Sequence, residues 1–307
     1  MRWRGERQSR NVEDRRGRGG GGLGGLGGMR IPGGTRRGGG SGLGTIVIGL
    51  IGAWLFGINP LSLLGIVDGG SPDGAPGGSV VSQQQGGQAG APAQDEMGQF
   101  VSVVLASTED TWNAVFSKAG ARYQAPRLVL YSGSTRTACG MGDAAAGPFY
   151  CPSDQTVYVD LSFYQTLRQR FGASGDLAEA YVIAHEVGHH VQNLVGTMAK
   201  MDAARRPVGE RDYNQLSIRL ELQADCFAGI WTNHSQQAKG WLESGDIEEA
   251  MRAAAAVGDD NIMKRTQGMV VPDAFTHGSS EQRVRWFRIG AQTGQIEQCN
   301  TFGAERL

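Results

Sequence analysis

The sequence predicts an α+β protein that is mostly helical, with a small sheet and a single transmembrane helix ahead of its large domain. Two observations concern the large domain: short β-branched or aromatic segments occur early in it, and apolar residues elsewhere recur at helical spacing. A third observation is an uncharged apolar stretch before this domain that is long enough to span a bilayer.

Composition divides the chain into two unequal parts. Of the 49 Gly in the 307 residues, 29 lie in residues 1–95 and 20 in the remaining 212, which is close to ordinary globular usage. Only the second part has the composition of a packed domain, and its size favours a single domain, residues 96–307. With 40% hydrophobic residues, the composition argues against a wholly disordered or fibrous chain.

Residues 1–42 form a basic segment rich in Gly and Arg. Within residues 1–40, ten Arg face three acidic residues, a balance of +7, so the rest must carry −8 to give the net charge of −1. A basic tail of this kind also suits nucleic-acid binding. The apolar stretch that follows favours a membrane role instead, and no nucleic-acid partner is expected.

Residues 43–67 contain no charge and would extend about 37 Å as a helix, against a hydrocarbon core of about 30 Å. Pro60 could kink this helix or mark its end, and a cleaved signal peptide is the competing interpretation. Arg precedes the stretch and Asp follows it, so the positive-inside rule predicts a single-pass protein of the cytoplasmic membrane. Its N-terminus would be cytoplasmic and its large domain extracytoplasmic, with residues 68–95 as a flexible Gly/Ser/Pro/Gln linker.

The four Cys all fall in the large domain, and an even count in an oxidising compartment indicates two disulfides. Three connectivities are possible. We favour Cys139 with Cys151, which closes a short loop, and Cys226 with Cys299, which ties the C-terminal end to a helix. Free buried thiols are the alternative, and a structural zinc site is disfavoured because no pair has CxxC spacing.

The expected elements of the domain begin with one long helix or two short ones. A small sheet follows, and helices make up most of the rest. In chain order we predict helix over 96–119, strands over 127–131 and 156–161, and helices over 162–171, from 176, near 214–231, from 245 and after a capping box of Ser279 and Gln282.

His185, Glu186 and His189 form the pattern HExxH. Residues four apart on a helix lie one turn above each other, so both imidazoles can bind one Zn²⁺ while Glu186 faces a metal-bound water. The structural alternative is a helix whose two His are satisfied by polar neighbours and bind nothing.

A catalytic zinc site needs a third protein ligand, and RLELQADCFAGIW supplies a candidate. Glu221 and Asp225 are four apart on a predicted helix, so Glu221 can complete the set while Asp225 accepts the outer N–H of a ligand His. The alternative is a solvated acidic face, which the apolar flanks disfavour.

HEVGHH followed by ELQADC resembles the HExxH plus ExxxD pattern of zincins with a glutamate ligand. The chain also resembles, almost from end to end, the putative neutral zinc metallopeptidase family of bacterial membrane-anchored proteins. The segments that carry the resemblance are MRWRGERQSRNVEDRRG, TACGMGDAAAGPFYCP, AYVIAHEVGHHVQNL, LELQADCFAGIW and FTHGSSEQRVRWF. It implies a zincin-like fold and a metallopeptidase acting on proteins or peptides. By the same resemblance, an extended substrate would pair with an exposed strand edge, for which residues 156–161 are the candidate; an ordinary core strand is the alternative.

The chemistry expected of this site assigns Glu186 as the general base, with one Zn²⁺ per chain. His277 is the best candidate to stabilise the tetrahedral intermediate, since a Gly-Ser turn before a helix could present it; a structural His is the alternative. The hydroxyls of Tyr150, Tyr158 and Tyr181 are further candidates that sequence does not rank.

The leading function is a membrane-anchored zinc metalloendopeptidase. The alternative from another class is a catalytically silent zinc-binding adaptor at the membrane surface, against which the presence of Glu186 argues. A small-substrate hydrolase such as a deformylase is disfavoured, because the Cys ligand segment of that enzyme is absent.

Overall fold

The computed structural model describes residues 1–17, 95–205 and 207–307. Within these residues the protein is an α+β fold dominated by helices, as the sequence predicts. The strands are β1 (Val12–Asp14), β2 (Arg127–Tyr131), β3 (Ser134–Thr137), β4 (Gly140–Asp143), β5 (Phe149–Cys151) and β6 (Thr156–Asp160). The helices are α1 (Glu96–Lys118), α2 (Ser162–Phe171), α3 (Asp176–Leu194), α4 (Thr197–Ala204), α5 (Glu210–Lys239), α6 (Asp246–Ala256), α7 (Asp259–Gln267) and α8 (Ser280–Thr293).

The main sheet has the strand order β1-β2-β6-β5. β1 and β6 both run parallel to β2, whereas β5 is antiparallel to β6. β3 and β4 form a separate antiparallel hairpin. Because β6 is paired on both sides, the expectation that residues 156–161 form an exposed edge is wrong. Residues 156–160 form a core strand, and all five of its side chains are buried.

The hydrophobic core lies between the sheet and the helices α1, α3, α5, α6 and α8. Large aromatic side chains fill it, and each of these excludes water from several elements at once. Trp112 of α1 meets Phe227 of α5 edge to face at 5.4 Å, and Tyr181 of α3 meets Phe287 of α8 at 5.5 Å. These contacts fix α1 and α8 against the two central helices.

α5 and α8 cross at van der Waals distance because each has Gly at the crossing. A Cβ at Gly290 would lie 1.9 Å from the Cys226 carbonyl oxygen, and one at Gly229 would lie 2.2 Å from the Phe287 carbonyl oxygen. No other residue type fits without separating the helices. α8 is therefore held closely against the part of α5 that carries the acidic residues.

Several sequence predictions are confirmed. α1 is one continuous helix, the strands at 127–131 and 156–160 are present, and Ser279 with Gln282 forms the capping box of α8. α3 begins at Asp176 as expected, although its N-cap is Gly175, whose side chain cannot cap the helix. The elements that were not predicted from the sequence are β1, β3, β4, β5, α4 and α7.

The predicted transmembrane helix at 43–67 lies outside the described residues, as does most of the predicted linker. Among the helices that the structure describes, none combines the length and the apolarity needed to span a membrane.

Residues 1–17 belong to the same fold as the large domain. Trp3 and Val12 are buried in the main core, and β1 is the outer strand of the main sheet. The folded domain, predicted to begin at residue 96, therefore also includes residues 1–17.

Both favoured disulfides are confirmed. Cys139 is bonded to Cys151 with a Cα–Cα distance of 5.8 Å, and Cys226 to Cys299 with 5.6 Å. The first joins the β3–β4 region to β5, and the second ties the C-terminal segment to the middle of α5.

The two disulfides should differ in their contribution to stability. They separate their cysteines by 12 and 73 residues along the chain. Loop-closure entropy then assigns about 3 kcal/mol to the first and about 4 kcal/mol to the second. Urea unfolding of Cys139→Ala/Cys151→Ala and of Cys226→Ala/Cys299→Ala should show the larger loss of unfolding free energy in the second variant. A larger loss in the first would contradict this ranking.

Candidate metal centre

Two helices bring three potential ligands together in the interior. His185 and His189 lie one turn apart on α3, and Glu221 projects from α5. One ligand atom from each of the three lies within 4.8 Å of the others, and all three side chains are buried. The structure thus joins the HExxH motif to the carboxylate predicted from the ELQAD segment.

Gly188, inside the HExxH motif, explains how α3 and α5 come so close. A Cβ at this position would lie 3.0 Å from the carbonyl oxygen of Ala224 and 3.1 Å from its Cα, tighter than ordinary contacts. Gly in a helix interior costs about 1 kcal/mol relative to Ala. Here it allows the backbone of α5 to pack directly on the helix that carries both His.

The donor set fits zinc in type and in spacing. Nε2 of His185 is 3.3 Å from Glu221 Oε2, and Nε2 of His189 is 3.5 Å from Glu221 Oε1. Tetrahedral zinc with bonds of about 2.0–2.1 Å holds its ligand atoms about 3.3 Å apart. Two imidazoles and one carboxylate leave a fourth position open, as in catalytic zinc sites.

Asp225 orients His185. Its Oδ1 lies 2.8 Å from His185 Nδ1 and accepts the Nδ1–H, which directs Nε2 towards Glu221. Burial alone would lower the pKa of His185, but Asp225 and Glu221 raise it to about 9. Burial alone would raise the pKa of Glu221, yet His189, His185 and His277 hold it well below its usual value.

Arg283 of α8 neutralises Asp225. Its Nε and Nη2 donate to the two carboxylate oxygens at 2.8 and 2.9 Å, and Nη1 donates to the Val257 carbonyl at 3.1 Å. Tyr181 also donates to Asp225. Burial alone would lower the pKa of Arg283, but Asp225 raises it well above its usual value, so the guanidinium stays charged in the core.

Gln192 orients His189 in the same way. Its Oε1 lies 2.8 Å from His189 Nδ1, and its Nε2 donates to the Leu220 carbonyl at 2.7 Å and to Gln223 Oε1 at 3.1 Å. The amide is fully buried. Each candidate ligand imidazole therefore has an outer partner that directs its Nε2 to the metal position.

Glu186 is a buried carboxyl beside the three candidate ligands. Burial raises its pKa, while the neighbouring His189 and His185 act in the opposite direction. A carboxyl with a raised pKa is suited to accept and then return a proton near neutral pH.

The Glu221 carboxyl group contributes to the electrostatic environment of His277. Its Nδ1 is 3.1 Å from Asp259 Oδ1, and its Nε2 has no hydrogen-bond partner among the described residues although the side chain is buried. Burial alone would lower the pKa of His277, but Asp259 and Glu221 raise it. Asp259 also accepts backbone N–H groups from Thr276, His277 and Gly278, which fixes the turn.

The three tyrosines that sequence did not rank all have engaged hydroxyls. Tyr150 contacts His190 Nδ1 at 2.9 Å, Tyr158 donates to Asp154 at 2.8 Å, and Tyr181 donates to Asp225. His190 is fully buried, and its Nε2 lies 2.6 Å from the Gln124 carbonyl, so it is a structural residue.

Sequence reasoning missed Arg283, Gln192 and Asp259. Gln192 follows His189 by three residues on the same helix, a spacing that could have identified it. Arg283 and Asp259 come from α8 and the start of α7, and no local spacing relates either residue to the HExxH motif.

Arg283→Met is expected to lower the free energy of unfolding by about 3–5 kcal/mol, since it leaves the buried Asp225 carboxylate without its counterion. Arg288→Met, an exposed position on the same helix, is the matched control and should change it by about 0.5 kcal/mol or less. Urea unfolding measures both variants. Equal stability of the two would show that Arg283 does not balance Asp225.

Comparison with known proteins agrees with this centre. The family described as "Putative neutral zinc metallopeptidase" matches residues 1–302. The uncharacterized protein YpfJ of Escherichia coli (strain K12) is 49% identical over 303 residues, which cover 99% of each chain. The uncharacterized protein Rv2575 of Mycobacterium tuberculosis (strain H37Rv) is 42% identical over 218 residues, 68% of this chain and 73% of that protein. No solved structure matches the chain significantly.

The family match spans nearly the whole chain and includes both segments of the metal centre. The protein therefore belongs to the family described as putative neutral zinc metallopeptidases.

Proposed function

We propose that the protein is a zinc-dependent metalloendopeptidase that hydrolyses peptide bonds in proteins or peptides. The observation that carries this proposal is the convergence of His185, His189 and Glu221 in the interior, with Glu186 beside them. These three side chains would hold one Zn²⁺. Zinc at this position supplies Lewis-acid chemistry, polarising the scissile carbonyl and lowering the pKa of a bound water.

Glu186 acts as the general base. Its carboxylate takes a proton from the attacking water and returns it to the amine that leaves. The raised pKa of Glu186 supports this double role, since the group must exist in both forms during one turnover.

His277 stabilises the negative charge that develops on the carbonyl oxygen. The imidazolium form of His277 donates from the free Nε2, and Asp259 accepts the Nδ1–H, raises the pKa of the ring and holds it in place. The engagement of the Tyr150, Tyr158 and Tyr181 hydroxyls elsewhere leaves His277 as the better candidate among the residues considered.

The substrate would bind as an extended strand along β5. Among the described strands β5 forms one edge of the main sheet, and its three side chains are buried, so a substrate would pair only with its outer main-chain groups. Its Tyr150 contacts Asn193 and His190 of the HExxH helix. Pairing through main-chain hydrogen bonds tolerates many side chains, which suits an endopeptidase.

We also propose that residues 43–67 attach the protein to a lipid bilayer and that the domain lies in an oxidising, extracytoplasmic compartment. The uncharged apolar stretch supports the first statement, and the two disulfides support the second.

Cleavage of casein by the purified full-length protein, with bound zinc quantified, tests the function. Glu186→Gln should retain zinc and lose activity by at least 10²–10⁴-fold, because it removes the base and leaves the ligands. Glu221→Ala should lose zinc. Glu210→Gln, an exposed carboxyl on the helix that carries Glu221, is the matched control and should behave as wild type.

The outcomes separate the competing functions. Zinc bound by a wild type that cleaves neither casein nor a library of unstructured peptides would support the catalytically silent adaptor. A wild type that binds no zinc would contradict both.

A second variant tests the role of His277. His277→Gln should lower kcat by about 10²–10³-fold and leave KM and zinc content nearly unchanged, because the lost interaction forms only in the transition state. A purely structural His277 would instead lower the melting temperature and zinc content together. Steady-state kinetics on a fluorogenic peptide, with thermal unfolding measured beside it, distinguishes the two.

A further inference from the structure

The first seventeen residues pack against the metal-binding domain through Met1, Trp3, Ser9 and Val12, which are buried. Trp3 is buried edge to face against Phe100 of α1, with ring centroids 5.2 Å apart. β1 extends the main sheet, and Arg15 N donates to the Leu130 carbonyl at 2.8 Å. These contacts belong to the same hydrophobic core that supports α3 and α5.

A buried carboxylate of the domain depends on this segment. Glu109 of α1 accepts hydrogen bonds from Ser9 Oγ, Asn11 Nδ2 at 2.8 Å and Arg7 Nη1 at 3.0 Å. All three donors come from residues 1–17, and Glu109 is only 7% exposed. Without the segment, the buried carboxyl group of Glu109 would be left with none of these hydrogen-bond partners, at a high cost in free energy.

The undescribed stretch 18–94 starts and ends at nearly the same point of the protein. Arg16, one residue from its start, pairs with Asp95, the residue that follows its end. Asp95 also caps α1 by accepting from Gly98 N at 3.0 Å. The hydrogen bond with Arg16 holds the pKa of Asp95 below its usual value, against the smaller effect of burial. The chain therefore leaves and re-enters the domain at one site.

We propose that residues 1–17 and the metal-binding domain lie on the same side of the membrane. The chain between them therefore cannot be a single-pass segment that crosses the bilayer one time. A single crossing would place a hydrocarbon layer of about 30 Å between groups that contact at hydrogen-bond distance. Contact on one side requires an even number of crossings, zero or two.

The sequence of the intervening stretch selects zero. Two helical crossings need about 40 apolar residues, and residues 18–94 contain one apolar run of 25. This proposal replaces the single-pass orientation that the charge distribution predicts and moves the basic N-terminal segment to the domain's side.

Labelling in intact cells with a membrane-impermeant maleimide tests the proposal on the full chain. Gln8→Cys and Ser117→Cys introduce exposed thiols in the N-terminal segment and at the end of α1. The wild type, whose four cysteines form two disulfides, gives the background. Both thiols should be labelled to the same extent, before and after the membrane is permeabilised. Labelling of one in intact cells and of the other only after permeabilisation would overturn the proposal.

Thermal denaturation inside intact cells tests whether the segment is docked there. Ser9→Ala/Asn11→Ala removes two donors to Glu109 and should lower the melting temperature of the domain by about 4 °C or more. Arg10→Ala, an exposed neighbour of these residues, is the control and should leave it unchanged. Equal melting temperatures of the two variants would overturn the proposal, because a segment across the membrane cannot stabilise the domain.

Discussion

The close contact between α3 and α5 at Gly188 is the constraint on which the metal centre depends. α3 carries both candidate imidazoles and α5 carries the carboxylate, so the distance between the two helices sets the spacing of the ligand atoms. Glycine also allows a close helix contact where α5 meets α8, at Gly229 and Gly290. In both places the absence of a Cβ lets the helix backbones approach each other, and the functional side chains follow from that approach.

The charges of the buried cluster balance in two groups. Asp225 is neutralised by Arg283 through two hydrogen bonds, so this pair carries no net charge. Glu221 and Glu186 remain, and both are buried. A divalent cation offsets two carboxylates in an interior where an unpaired charge is costly. The His185 and His277 imidazoles, whose pKa values are raised, also offset part of this charge, so the charge balance is compatible with a metal ion at the centre.

The imidazoles of the site differ in which of their ring nitrogens have a hydrogen-bond partner. Asp225 and Gln192 use their acceptors on the outer nitrogens of His185 and His189, which leaves both inner nitrogens available for a metal. His277 has the opposite arrangement to a structural His, because Asp259 holds one nitrogen and the other has no partner among the described residues. His190, with both nitrogens engaged, shows what a structural imidazole looks like in the same helix.

Residue spacing in the sequence predicted those elements and motifs whose signal lies within one continuous segment of the chain. The HExxH helix, the helix with Glu221 and the α8 capping box were all identifiable from spacing within a single element. Sequence did not identify Arg283 as the partner of Asp225, since that pair forms only when α8 packs on α5. β1 was missed for a similar reason: a three-residue strand has no periodicity of its own, and its partner β2 lies more than 100 residues away.

Zinc K-edge X-ray absorption on the purified full-length protein tests the central claim, that His185, His189 and Glu221 bind one zinc. The account predicts about four nitrogen or oxygen ligands at about 2.0–2.1 Å, with the outer-shell scattering of two imidazoles. It also predicts that Glu221→Gln changes the first-shell distances or abolishes binding. A sulfur shell at about 2.3 Å, or a wild-type spectrum without imidazole scattering, would contradict the account.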